Sequence, residues 1–280
     1  MQMKTNMNNS PAVASRMSMR LVTIADMLGA DGFRPKAVAD VGCDHGYISI
    51  YLVQSGIADS AIAMDVRKGP LSGAAGNISE YGLDGSIVTR LSDGLKELNK
   101  DEADGLVIAG MGGKLMIRIL EEKDPKELGI LYAVLQPQSE LWQFRQYLRD
   151  KGYRIVQEKI IHEEGKYYFP MKVSFFAENA STGRSSASGS DDFGDIHDKV
   201  VQDLTSRTGC DAELAKSICN RFGEHNIYRK DLLLKEYCEH GLKVNSSILK
   251  SLDEKEHRDR FRQVQAEHTE LEKVLNYINL

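Results

Sequence analysis

Between residues 37 and 176, short apolar runs alternate with amphipathic stretches, the rhythm that strands and crossover helices give to a mostly parallel sheet. The runs 37–41, 60–65, 86–90, 105–109 and 130–136 are predicted strands. The segments 47–55, 69–81, 114–122 and 139–151 are predicted helices, the last with Leu141, Phe144 and Leu148 at helical spacing. A leading helix is expected over 16–28. Past residue 151 the rhythm changes. Two strand-like runs, 153–161 and 166–176, are joined by Glu163-Glu164-Gly165, which predicts an antiparallel hairpin closing the sheet edge. From residue 196 on, the pattern is helical, and 232–252 and 261–278 are long and charged with spaced apolar positions, as in a helical hairpin or short coiled coil.

Composition separates these blocks. The stretch 177–195 is rich in Ser, Gly and Asp and too poor in apolar surface to offset the entropy of ordering, so a flexible linker is expected there. The expected organisation is a loose tail over 1–15, an α/β domain over 16–176, the linker, and a helical domain over 196–280. With 41% hydrophobic and 28% charged residues, and no apolar run approaching the ~20 residues that span a bilayer, the chain is expected to be a globular protein without membrane spans. Its polar start carries only Lys4 before Pro11 and lacks a secretory pattern, so a cytoplasmic location is expected. Cys43, Cys210, Cys219 and Cys238 stand far apart. Cys210 and Cys219 with His225 and His240 match no common metal spacing, and neither a metal nor a disulfide framework is expected.

A formal charge of −5 argues against gripping nucleic acid by bulk electrostatics. Any RNA contact must use local patches such as Arg229-Lys230 or the group Arg258, Arg260 and Arg262.

The candidate chemistry begins at Asp40-Val41-Gly42-Cys43-Asp44-His45-Gly46-Tyr47, where an apolar strand enters a glycine turn and then a helix. Gly42 and Gly46 let the backbone turn tightly and approach a ligand. A nicotinamide fingerprint needs glycines at 42, 44 and 47, but Asp44 and Tyr47 stand in two of those places. Asp44 would set an anion against a pyrophosphate, whereas S-adenosylmethionine has no phosphate and carries cationic ammonium and sulfonium groups that carboxylates favour. The second strand ends at Asp65, placed to accept hydrogen bonds from ribose hydroxyls. The third leads to Ser92-Asp93-Gly94, where Asp93 either receives an adenine amine or caps a helix. The fourth ends in Ala109-Gly110-Met111-Gly112-Gly113-Lys114, whose glycines leave room for a flat base or make a tight strand-to-helix turn. The fifth gives Gln136-Pro137, followed by Trp142 and Arg145.

These motifs, with Arg221-Phe222-Gly223 further on, resemble the bacterial tRNA (adenine(22)-N1)-methyltransferase family over about residues 16–176 and more loosely over 215–280. The antiparallel edge expected after residue 151 is also typical of methyltransferases. The resemblance implies a Rossmann-like class I catalytic domain, a C-terminal coiled-coil domain, S-adenosylmethionine as donor and tRNA as partner, in a monomer or homodimer. It implies donor contacts from Asp40, Gly42, Cys43, Asp44, His45 and Gly46 after the first strand, from Asp65 and Val66 after the second, and from Ser92, Asp93 and Gly94 after the third. Ala109 and Gly110 complete that set. It places Met111, Gly112, Gly113, Lys114, Gln136, Arg145, Arg229 and Lys230 against the RNA, with Asp44 stabilising the cationic methylated adenine and Tyr47 orienting the base. The chain departs from the family in its long linker and in Glu224-His225-Asn226, where the family tends to have proline and leucines. A methyltransferase acting on a small molecule or protein, and a non-catalytic RNA-binding or scaffold protein, are the other readings of the same residues.

Overall fold

The computed structural model describes residues 12–176 and 196–280, so the expected linker and most of the expected tail lie outside the described residues. The chain forms two compact units. Of the described residues, the first comprises 12–140, 147–156 and 170–176, and the second comprises 141–146, 157–169 and 196–280.

In the first unit a short 3-10 turn, Ala12–Arg16, precedes α1 (Met19–Gly29), whose first turn is capped by the Ser18 hydroxyl accepting from the Leu21 amide. In chain order, crossing between the two units, there follow β1 (Ala37–Val41), α2 (Tyr47–Gln54), β2 (Ser60–Asp65), α3 (Lys68–Glu80), β3 (Ile87–Leu91), β4 (Gly105–Met111), α4 (Gly113–Glu122), β5 (Tyr132–Pro137), α5 (Leu141–Asp150), β6 (Arg154–Glu158), β7 (Ile161–Glu163), β8 (Lys166–Tyr168) and β9 (Met171–Ser174). The large sheet has seven strands in the order β3-β2-β1-β4-β5-β9-β6. The pairs among β1 to β5 are parallel, and β9 runs antiparallel to β5. This is the Rossmann-like arrangement with an antiparallel edge that the resemblance implies. The inner strands are apolar on both faces because helices cover both, and Val38, Ala39, Val107, Val134 and Leu135 are wholly buried.

The edge is built differently from the single hairpin that the sequence suggests. Pro170 has no N–H to donate to a ladder and interrupts the second run. The tip therefore closes as a separate two-stranded sheet of β7 and β8, while β9 inserts between β5 and β6.

The second unit gathers the β7–β8 hairpin and the first turns of α5 with α6 (Ile196–Thr208), α7 (Ala212–Phe222), α8 (Glu224–Tyr228), α9 (Leu232–Ser251) and α10 (Arg258–Asn279). The expected pair of long helices is present, and α9 packs along α10. Their core is shared with other elements: Ile160 and Phe169, flanking the hairpin strands, are buried among Val200, Ile218, Phe222, Leu234 and Val274. Asp211 caps α7 by accepting from the Leu214 amide, and Gly223 ends that helix with φ of 83°.

Candidate functional site

Strand order reverses between β1 and β4, and the loops leaving the carboxyl ends of these strands flank the crevice where open α/β sheets take ligands. After β1 the chain turns through Gly42, Asp44 and Gly46 with φ of 77°, 47° and 72°. The amides of Gly42 and Cys43 both donate to the Met64 carbonyl, at 2.8 and 3.0 Å, and the Gly46 amide donates to the Cys43 carbonyl at 2.7 Å. These three N–H groups of the loop are committed within the chain and are not offered to a pyrophosphate.

Its charges point the other way. Asp40 is 2% exposed, and its Oδ2 accepts from the Ser49 hydroxyl at 2.7 Å. Burial pushes its carboxyl up to about 6, against the opposing pull of the Ser49 hydrogen bond. The Cys43 thiol is driven up by burial and then by the carboxylates of Asp40, Asp65 and Asp44, so it stays neutral and marks a point where three acidic side chains converge. Asp44 remains open to solvent, with His45 Nε2 at 3.8 Å from its Oδ2. The His45 and Tyr47 rings lie 5.7 Å apart, and Tyr47 opens α2.

A carboxyl whose folded pKa is raised stabilises the fold below its unfolded pKa, and that contribution is lost as pH rises through the folded value. Asp40 should therefore make the protein less stable as pH climbs from about 4 to about 6. Urea unfolding of the parent and of Asp40→Asn across this range checks it. The variant should show a shallower decline, and parallel curves would remove Asp40 as the cause.

After β2, the carboxylate of Asp65 is 6% exposed and accepts from the Arg67 amide at 2.8 Å, while neighbouring Val66 is 60% exposed. After β3, Ser92 organises the turn: its amide donates to the Asp65 carbonyl, its hydroxyl donates to the Gly94 carbonyl at 2.8 Å, and its Oγ accepts from the Glu97 amide at 3.2 Å. Asp93 is ion-paired with Lys96 at 2.5 Å and with Arg118 at 3.6 Å, which holds its carboxyl below the usual range. No helix begins after this turn, so Asp93 is not the helix cap that one reading of the sequence offered.

β4 continues past Ala109 through an irregularity to Met111, and Gly110 there has φ of 80°. A β-carbon on Gly42 would run into Cε of Met111, so the loop after β1 and the loop after β4 touch. The sequence left Gly110, Gly112 and Gly113 as room for a base or as a tight strand-to-helix turn, and the structure divides them. Around Gly110 only Gln138 Nε2 comes within 3.7 Å of a built β-carbon. A β-carbon on Gly113 would lie 2.7 Å from the Ser139 carbonyl, and one on Gly112 would lie 3.0 Å from the Ser139 hydroxyl. Glu140 closes over the start of α4, its carboxyl held low first by the Ser139 hydroxyl and then by the Lys114 and Gly113 amides and the Lys114 charge. Gly112 and Gly113 are thus small because the loop after β5 packs on them.

Gly113→Val should cost about 1–3 kcal/mol through overpacking against backbone. Gly112→Val, which meets only a rotatable hydroxyl, should be milder. Denaturant midpoints of the two variants decide this, and a Gly113→Val protein as stable as its parent would refute the packing role.

Gln136 is fully buried, with its Nε2 donating to the Pro137 carbonyl at 3.0 Å and its Oε1 accepting from Arg20 Nη1 at 2.8 Å. The sequence placed Gln136 against the substrate, but its amide is engaged by the chain on both sides. Arg20 went unnoticed because no motif marks a lone arginine on a leading helix. Glu140 was missed because its capping partner, α4, precedes it in the chain.

Three further candidates belong to the second unit. Arg145, read as a substrate contact, is wholly buried: its Nε donates to Glu158 Oε1 at 2.7 Å, and its Nη1 donates to the Asn220 and Arg221 carbonyls at 2.9 Å each. This corrects the expectation, since a guanidinium enclosed in this way presents nothing to RNA. Arg229 Nη2 donates to the Glu158 carbonyl at 2.8 Å and to Asn226 Oδ1 at 3.0 Å, and Lys230 Nζ lies 5.8 Å from the centre of the Tyr277 ring. Both side chains brace the turn between α8 and α9. Trp142 donates to the Ser217 hydroxyl at 3.1 Å within the same unit.

A model of the methyltransferase domain matches residues 17–171, more than half of the chain. The chain belongs to the methyltransferase-domain family. The match runs from just before α1 to the start of β9 and so includes every loop of the first unit described above. Among named methyltransferases, the tRNA (adenine(22)-N(1))-methyltransferase of Bacillus subtilis is 36% identical over 153 residues, covering 55% of this chain and 63% of that enzyme. The chain thus spans less than two thirds of that relative. A crystal structure of the B. subtilis M1A22 tRNA methyltransferase TrmK superposes with a TM-score of 0.69 at 25% identity, over 92% of this chain and 98% of the other. A Streptococcus pneumoniae protein solved in complex with S-adenosyl-L-methionine does so with a TM-score of 0.67 at 26% identity, over 92% and 99%.

Proposed function

We propose that the protein is an S-adenosylmethionine-dependent tRNA methyltransferase that acts on N1 of an adenine, adenine 22 by analogy with its B. subtilis relative. One observation carries the reading: the carboxylate-lined loop after β1 meets the glycine-bearing loop after β4 at the sheet's switch point, so donor and acceptor sites adjoin. The residues present fit S-adenosylmethionine and suit a dinucleotide poorly, because Asp40, Asp44 and Asp65 make the crevice anionic while the Gly42 and Cys43 amides are bonded to Met64. Asp65 would hold the ribose hydroxyls, and Asp40 and Asp44 would favour the cationic amino acid end. When bound, the donor supplies an electrophilic methyl group on its sulfonium.

The rest of the work falls to the chain. Gly110 leaves the acceptor side open beside Gln138. Tyr47, at the mouth of the β1 loop, orients the base, and the exposed Asp44 carboxylate stabilises the cationic methylated ring until a proton leaves its amine. N1 lies on the Watson–Crick edge, so a paired or stacked adenine must first be swung out at a cost of about a few kcal/mol. Rate enhancement then comes mainly from holding the reactants in line, near ~3 Å. Arg258, Arg260 and Arg262 are exposed in the first turns of α10 and are the basic group best placed to meet tRNA phosphates. Among the described residues no helix is long and apolar enough to cross a membrane.

Incubation with methyl-labelled donor and, in parallel, unmodified tRNA, bulk protein and a small-molecule extract tests the substrate class. Label in tRNA alone supports the proposal, whereas label in protein or small molecules with none in tRNA favours the alternative methyltransferase readings. No label anywhere, with the donor unbound, would leave a non-catalytic scaffold.

A further inference from the structure

The second unit carries a column of aromatic rings that runs from its core to its surface. In the β7–β8 ladder His162 stands opposite Tyr167, and their rings stack with centroids 4.2 Å apart and planes within 6°. Tyr167 is held edge-on by Tyr237 of α9, at 5.1 Å and 75°. Tyr237 in turn meets Phe169 at 5.5 Å and 81° and the buried Phe222 at 6.4 Å and 69°. The three contacts of Tyr237 are the edge-to-face arrangement that ring quadrupoles favour. The plane of the last ring, His162, is therefore set from the core although the residue itself is exposed. The hairpin beneath it is short, and its turn residues Glu164 and Gly165, with φ of 50° and 73°, both take the positive φ that suits tight hairpins.

We propose that His162 is a stacking shelf for an unpaired nucleobase of the RNA substrate. This rests on the tRNA reading given above. A base offers a flat π-face to any exposed, pre-oriented ring, and such stacking needs no charge. Charge on this hairpin is not cationic, with Lys166 alone against Glu163 and Glu164, so it is not built to track phosphates. A chain with a net charge of −5 also depends more than most RNA-binding proteins on contacts that salt does not screen.

Filter binding of the full-length protein to an unmodified tRNA transcript, across a salt series, tests the shelf. Base–aromatic stacking contributes enough that His162→Ala should weaken binding by about fivefold or more. The loss should be the same factor at every salt concentration, leaving the slope of log affinity against log salt unchanged. His162→Phe should restore binding and His162→Leu should not, while all three variants bind S-adenosylmethionine as the parent does. Parental affinity in His162→Ala, equal rescue by Leu and Phe, or a slope reduced by about one would each overturn the shelf. If the parent binds and methylates tRNA but His162→Ala matches it, only the shelf falls. If the parent does neither, the tRNA reading falls with it.

Discussion

Replacing Glu158 by alanine should destabilise the second unit by about 3–5 kcal/mol, the cost of leaving a buried charge without its partner. Glu158 and Arg145 are both 0% exposed, and the Nε to Oε1 distance is 2.7 Å. The same guanidinium holds the last carbonyls of α7, those of Asn220 and Arg221, and lies 5.9 Å from the Phe169 ring centre. A β-carbon on Gly223 would collide with the Glu158 carboxylate, so that glycine, the ion pair and the end of α7 form one packed junction. Charge alone is not what stabilises it. An Arg145→Met, Glu158→Met pair of similar volume should recover most of the loss, since apolar replacement of a buried pair is often neutral or better. Urea unfolding of the two single variants and the double variant gives the coupling. A Glu158→Ala protein within about 1 kcal/mol of its parent would show that the pair is solvated in solution.

Asp65→Ala should weaken S-adenosylmethionine binding at least tenfold. The side chain ends β2, is nearly buried, and is kept in place by the Arg67 amide, so little conformational entropy is lost when a ligand arrives. Hydrogen bonds to a charged group contribute about 1.5–3 kcal/mol each, and a ribose offers two hydroxyls. Calorimetry on the folded variant reads this directly, and parental affinity would remove Asp65 from the donor site.

Much of the first unit was legible because its signals are local. Strands β1 and β2 fall where the apolar runs fall, and β3 is displaced by one residue. The positions of Asp40 in β1, Asp44 after it and Asp65 at the end of β2 could be placed for the same reason: strand, turn and acidic residue are contiguous in sequence. Around Asp93 the sequence offers Lys96 three residues on, but the second ion-pair partner, Arg118, comes 25 residues later and nothing local announces it. Gly112 and Gly113 were seen as small but not as packed, since Ser139 and Glu140 reach them from the next crossover. Arg145 misled for a related reason. Arginine is a surface residue by default, and only Glu158 with the carbonyls of Asn220 and Arg221 makes burial tolerable. Likewise apolar Ile160 and Phe169 declare burial but not which core they join, and they join the helices that follow residue 196.

The account is tested most directly by nucleoside mass spectrometry of a tRNA transcript after reaction with the purified protein and isotopically labelled S-adenosylmethionine. It predicts labelled 1-methyladenosine, lost when adenine 22 of the transcript is replaced by guanine and lost again with Asp65→Ala. Label in any other nucleoside, or tRNA without label while the protein binds the donor, would contradict it.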